Sequence, residues 1–207
     1  MSNFDFGYVC GILCSHGSLT WDEKKGIYRI KIETSDGDLS AILKEKFSMV
    51  FRDKIKIRTN PKKANKTIIH VYGKDSIKDF IGRFQLKVGT NRWLVPPICF
   101  DDENFRKGFI QGFFDSGSSI RIRKRLHKNG RIQTCYSIRV TDCNKIGLED
   151  IKSLLKIEGV NSHVYQSGKY YILEIDGKNN FTVFIKNINF GIDWKRNKGE
   201  KYLGLFQ

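Results

Sequence analysis

The residues of this chain best suited to chemistry stand in and just after two short segments built on one pattern. Val9-Cys10-Gly11-Ile12-Leu13-Cys14-Ser15-His16-Gly17 and Ile110-Gln111-Gly112-Phe113-Phe114-Asp115-Ser116-Gly117-Ser118 both start apolar, carry a mid-segment glycine and end in small polar residues. His16 could do acid–base work or ligate a soft metal, and Asp115 offers hard oxygen ligands. A lone histidine with no clustered second ligand is more often a satisfied polar side chain. Beyond the second segment runs Ile120-Arg121-Ile122-Arg123-Lys124-Arg125, whose alternation puts Arg121, Arg123 and Arg125 on one face of a strand. Such a row repels itself unless a polyanion lies on it, and arginine is the usual bidentate reader of guanine.

The elements that position these residues are themselves repeated. Each segment reads as a short apolar helix, and each is followed by period-2 alternation, Ile27 to Glu33 in the first half and Tyr136 to Thr141 in the second. Helical stretches come next, Asp38 to Phe47 and Leu148 to Leu155. The halves close alike, on Ile69-His70-Val71-Tyr72-Gly73-Lys74 and Leu173-Glu174-Ile175-Asp176-Gly177-Lys178, each leading into an apolar-periodic helix. Each half therefore reads helix, two strands, helix, two strands, helix. The division expected is a first repeat over residues 1–84, a linker over 85–104 interrupted by Pro96-Pro97, and a second repeat over 105–207. Asp101-Asp102-Glu103-Asn104 gives a capping start to the second opening helix.

Composition narrows the class. The 207 residues include 37 Lys+Arg against 22 Asp+Glu, a formal charge of +15, with 40% hydrophobic residues. That apolar content builds a core and argues against disorder, while the charge surplus points to a polyanionic partner. No run approaches a membrane helix and no signal peptide opens the chain, so an intracellular location is expected, with cytoplasm, nucleoid, organelle and nucleus all open. The five cysteines, with no CxxC pair, argue against a disulfide framework or structural zinc.

Two nonapeptides about one repeat apart, each opening an αββαββα unit, resemble the LAGLIDADG homing endonuclease family in its single-chain, two-repeat form. The resemblance covers nearly the whole chain and implies an α+β fold of two pseudo-symmetric αββαββα repeats with saddle-shaped antiparallel sheets. It also implies that the two motif helices pack on each other through small residues, here Gly11, Ser15, Gly112 and Ser116. In the family an acid at the eighth motif position of each helix holds divalent metal at the scissile phosphates. Here that position is His16 in the first repeat and Gly117 in the second. An alignment that treats the second copy as one residue short puts Ser116 there instead, which is no carboxylate either. Asp115, at the sixth position, is a remote substitute. Hard Mg²⁺ needs oxygen ligands, so no metal or other cofactor is expected unless the chain cleaves after all.

The resemblance places the wet faces of the strands in the major groove of double-stranded DNA. Counting from the motifs, the base-contacting positions are Arg121, Arg123 and Arg125 in the second repeat and Thr20, Asp22 and Lys24 in the first, a less basic set that suggests unequal half-sites. Arg29 and Lys31 share a face, with Arg139 the counterpart of Lys31, and Lys54, Lys56 and Arg58 alternate with Ile55 and Ile57. Lys62, Lys63 and Lys66 suit phosphates, as does the tail Trp194-Lys195-Arg196-Asn197-Lys198. The expectation is a monomeric, sequence-specific DNA-binding protein with a degenerate nuclease centre. The alternatives are an active, metal-dependent LAGLIDADG endonuclease and an RNA-binding intron maturase.

Overall fold

The computed structural model describes residues 2–22, 24–51, 55–59, 66–88, 92–126 and 130–204. The first opening helix, α1 (Asn3–His16), starts at a reciprocal cap. The Asp5 backbone N–H donates to Ser2 Oγ at 3.3 Å while the Asp5 carboxylate accepts from the Ser2 backbone N–H at 3.2 Å. After it come β1 (Ser18–Asp22), β2 (Ile27–Thr34), α2 (Gly37–Phe51), β3 (Ile55–Thr59), β4 (Thr67–Tyr72) and α3 (Lys74–Phe84). The second half repeats the order. A one-turn helix, α4 (Ile98–Asp101), precedes α5 (Glu103–Gly117), which starts where the Asp102 carboxylate accepts from the Phe105 N–H at 2.8 Å. Then follow β5 (Ser118–Leu126), β6 (Ile132–Asp142), α6 (Lys145–Ile157), β7 (His163–Ser167), β8 (Tyr170–Asp176) and α7 (Lys178–Asn187).

The expected α+β architecture is borne out. Two four-stranded antiparallel sheets have the matching orders β1-β2-β4-β3 and β5-β6-β8-β7. Two features were not expected: the turn of helix in the connecting segment, and an added helix α8 (Asp193–Leu203) that follows α7 at the end of the second repeat. In β2 the even residues from Tyr28 to Thr34 are buried, and in β6 Ile138 and Val140 are, so each sheet turns one face to the core and the other outward. Helices α2 and α3 lie on the first sheet, α6 and α7 on the second.

Between the sheets α1 runs against α5 at backbone distance. A Cβ on Gly7 would stand 2.1 Å from the Phe105 carbonyl oxygen, and one on Gly108 the same distance from that of Phe4; at Gly11 and Gly112 the clashes are with Phe109 O at 2.1 Å and Tyr8 O at 2.2 Å. These reciprocal contacts set the correspondence of the helices. They pair Gly11 with Gly112, Ser15 with Ser116 and His16 with Gly117, which disposes of the shifted alignment. Tyr8, Phe105, Phe109, Phe113 and Phe114, all buried, form the packing around the crossing.

Candidate nucleic-acid interface and the feet of the motif helices

The outer face of the second sheet is set by register. Arg121 pairs with Ser137, Arg123 with Cys135 and Arg125 with Gln133, while Arg139 lies between Ser119 and Glu174. Arg121, Arg123 and Arg125 are exposed, and with Arg139 they line one groove. The alternation of the sequence had placed Arg121, Arg123 and Arg125 together, and the strand register brings Arg139 to the same face. In the first sheet the outward row is Ser18, Lys31, His70 and Lys56, beside a second row of Thr20, Arg29 and Tyr72. Arg58 lies across from Ile68 on the same face. Lys56 Nζ sits 5.5 Å from the centre of the Tyr72 ring, and the His70 ring stacks on Tyr72.

Several positions differ from the sequence count. Lys24 is in the turn after β1, which ends at Asp22, so it lies beyond the strand face that carries Thr20. Asp22 faces its own turn, accepting from the Lys25 N–H at 3.1 Å. Lys54, Lys62 and Lys63 lie outside the described residues. Lys31 and Lys66 both pair with Glu33, whose carboxyl they hold down to about 2 through hydrogen bonds, Lys31 first. Arg29 Nε is buried with no hydrogen-bond partner among the described residues.

At the feet of α1 and α5, Ser15 Oγ meets Ser116 Oγ across the pseudo-dyad, and Ser116 Oγ also donates to Gly112 O at 3.0 Å. His16 is exposed, with Nδ1 2.9 Å from Ser15 Oγ. Crowding of its ring and then the Lys195 charge lower its pKa, favouring the neutral imidazole. Gly117 presents no side chain. Asp115, 2% exposed, is turned inward: Tyr8 Oη–H donates to it at 2.7 Å and the Gly191 N–H at 3.0 Å. Burial raises its pKa to about 6 against the Tyr8 bond and the Lys195 charge, which work the other way. That geometry makes Asp115 a tie between the motif helices, not a metal ligand at their feet.

The ammonium of Lys195 was not legible as part of this site. The tail residue expected on phosphates is instead 3% exposed and donates to Phe114 O at 3.0 Å, Asp115 O at 2.6 Å and Ser118 O at 2.9 Å. It caps carbonyls at the C-terminus of α5 from another helix. Its neighbours are also held: Trp194 Nε1 donates to Asp36 at 2.8 Å and Lys198 Nζ to Ile120 O at 3.1 Å. A hint lay in the aspartate within the second motif, since a buried carboxylate calls for a cation.

Asp115 and Lys195 impose a pH dependence. Asp115 goes from an ordinary 3.8 to about 6 in the fold, so between those values the folded state holds a proton the unfolded state has lost, and stability falls as pH rises. Burial lowers Lys195 from 10.5 to about 8, so between 8 and 10.5 the unfolded state holds the extra proton and stability rises with pH. The pair contributes least between pH 6 and 8. Denaturant melts of the parent and Asp115→Asn from pH 4 to 6.5 should show the parent losing stability relative to the variant. A difference that stays flat across that range would refute the assignment.

A hard divalent ion does not fit this site. The acid positions hold an imidazole and no side chain, Glu33 is engaged by two lysines, and Asp115 faces away. Among the described residues no three His, Cys, Asp or Glu side chains gather as a metal-binding group. Two repeats joined along glycine-bearing motif helices, with paired outward sheets, have the LAGLIDADG homing endonuclease fold. Residues 104–189 match the family model described as LAGLIDADG-like domain. Among solved structures, the chain is similar to I-DmoI in complex with DNA and Mn, with 17% identity, TM-score 0.65, and 90% of this chain and 97% of that chain covered. It is similar also to the N-terminal LAGLIDADG domain of DUF199/WhiA, with 16% identity, TM-score 0.59, and coverage of 91% and 82%. Full-length DUF199/WhiA from Thermatoga maritima matches with 16% identity, TM-score 0.61, and coverage of 99% and 61%. No curated protein matches the chain by sequence. No helix among the described residues is long and apolar enough to cross a membrane.

Proposed function

We propose that this protein is a monomeric, sequence-specific double-stranded DNA-binding protein, built on the homing-endonuclease scaffold with a degenerate cleavage centre. The repeats over residues 1–84 and 105–207 each read one half-site. The observation that carries this is the contrast within one molecule: a groove lined by Arg121, Arg123, Arg125 and Arg139, and motif helices that end in His16 and Gly117. Cleavage needs carboxylates at the feet, whereas reading needs only the strands. I-DmoI, which shares the fold, was solved in complex with DNA and Mn, and that supports duplex DNA as the partner here.

The test is selection of bound duplexes from a random pool, with the same pool assayed for nicks in Mg²⁺ and in Mn²⁺. A long asymmetric motif without nicked product is expected. Product above background would overturn the non-cleaving reading, and tighter binding of structured RNA than of duplex at matched salt would overturn the DNA reading. Arg123→Ala should cost about 1–3 kcal/mol and relax the preference at one base pair, whereas Lys24→Ala should weaken all sequences alike and reduce the salt slope by about 1. Titrations of the selected and a scrambled duplex at several salt concentrations separate the two effects.

A further inference from the structure

The counterpart residues at the middle of the two outer faces are held by carboxylates in different ways. In the first repeat Lys31 shares Glu33 with Lys66, so its one charged nitrogen is already engaged. In the second, the hydrogen bond that Arg139 makes to Glu174 among the described residues is donated by Nε, at 2.6 Å from Oε1. The other carboxylate oxygen of Glu174 accepts from Tyr165 Oη–H at 2.8 Å. Glu174 is itself 7% exposed and stands opposite Arg139 in the β6–β8 register. A carboxylate fixed at both oxygens is a rigid anchor. A guanidinium tied at Nε keeps its two terminal amino groups as a planar fork, and Arg139 lines the groove that Arg121 and Arg123 also line.

We propose that Glu174 is a positioning residue for base recognition: it presets the Arg139 fork, with Tyr165 as its brace, to read a guanine edge in the major groove under β6. This rests on the DNA reading above and deepens it. An unrestrained arginine loses rotamer freedom on docking, and one already held loses less, so the gain falls on the correct base. Glu174 is also an acid on a face that meets phosphates, so on general electrostatic grounds it should oppose binding. Its place is explained if it contributes selectivity. Hydrogen bonds from Arg139 and Tyr165 hold its carboxyl below the usual range even though burial works to raise it.

The experiment compares the full chain with Glu174→Ala, Glu174→Gln and Arg139→Lys, by selection from the random pool and by binding to a scrambled duplex at low salt. Glu174→Ala should lose about tenfold or more in discrimination at the same base pair that Arg139→Lys affects, with Glu174→Gln between it and the parent. Affinity for the scrambled duplex should be unchanged or tighter, because a negative charge has gone. Full preference retained by Glu174→Ala overturns the proposal. Without DNA, the anchor is read from the Arg139 Nε–H resonance, which should be resolved and slow to exchange in the parent and lost in Glu174→Ala, while backbone amide resonances that keep their parental positions show that the variant is folded. A parental signal averaged with the bulk arginines also overturns it. An intact signal in a parent that shows no duplex preference would instead mark failure of the DNA reading, and the base-reading role would go with it.

Discussion

A chain carrying both His16→Asp and Gly117→Asp is expected to cut, in Mg²⁺, the duplex that, on the proposed function, the parent binds and leaves whole. The fold tolerates the change at each foot. A Cβ at Gly117 would meet Ser15 Cβ and Oγ at 3.6 Å, ordinary contact, and His16 is already exposed. The two positions end helices whose Ser15 and Ser116 touch, so the new carboxylates would flank one small space. Hard oxygen ligands there supply what the parent lacks, and metal stabilisation of developing charge amounts to several kcal/mol, or about a thousandfold in rate. Each single variant should stay near background. The measurement is product formation on the selected site with Mg²⁺, with EDTA returning it to the parental level. A double variant that binds the site as tightly as the parent yet never nicks it would sink the claim that the missing acids separate this scaffold from a nuclease.

The largest stability effect is expected at the helix crossing. Gly112→Ala should destabilise the protein by about 3 kcal/mol, although alanine in mid-helix is otherwise favoured over glycine by about 1 kcal/mol. The added methyl would lie 2.2 Å from the Tyr8 carbonyl oxygen, and a backbone atom cannot rotate away. The helices must separate, which loosens the packing of Tyr8, Phe109 and Phe113 and shifts one sheet against the other. Gly11→Ala, against Phe109 O at 2.1 Å, should behave alike. Gly82 in α3 is the control: nothing lies within 4 Å of its Cβ position, so Gly82→Ala should be neutral or stabilising. Urea unfolding checks the set, and Gly112→Ala melting with or above the parent would falsify the close-approach argument.

Much of the candidate interface was legible because strands have a period of two. Arg121, Arg123 and Arg125 had to share a face once β5 formed, and burial of Ile120 chose which face looked outward. Repetition did the same for the fold, since two similar segments with matching strands admit one pseudo-symmetric pairing. Lys24 was misplaced because a count from the motif cannot see where β1 gives way to a turn. Lys195 was missed for a different reason. Its carbonyl partners lie 77 to 81 residues away in sequence, and nothing local separates a capping lysine from an exposed one.

By itself, then, the sequence determined the repeated α+β architecture, the basic outer faces and the absence of acids at the motif's eighth position. Those are properties of residue type and short-range periodicity. Only the tertiary structure decided that Gly117 corresponds to His16, that Asp115 points inward to Tyr8, that Lys195 closes the end of α5, and that Glu174 and Glu33 hold Arg139 and Lys31. Each of these depends on groups distant in the chain or on neighbouring strands meeting at hydrogen-bond distance, and such meetings are fixed by packing of the two motif helices and register between strands.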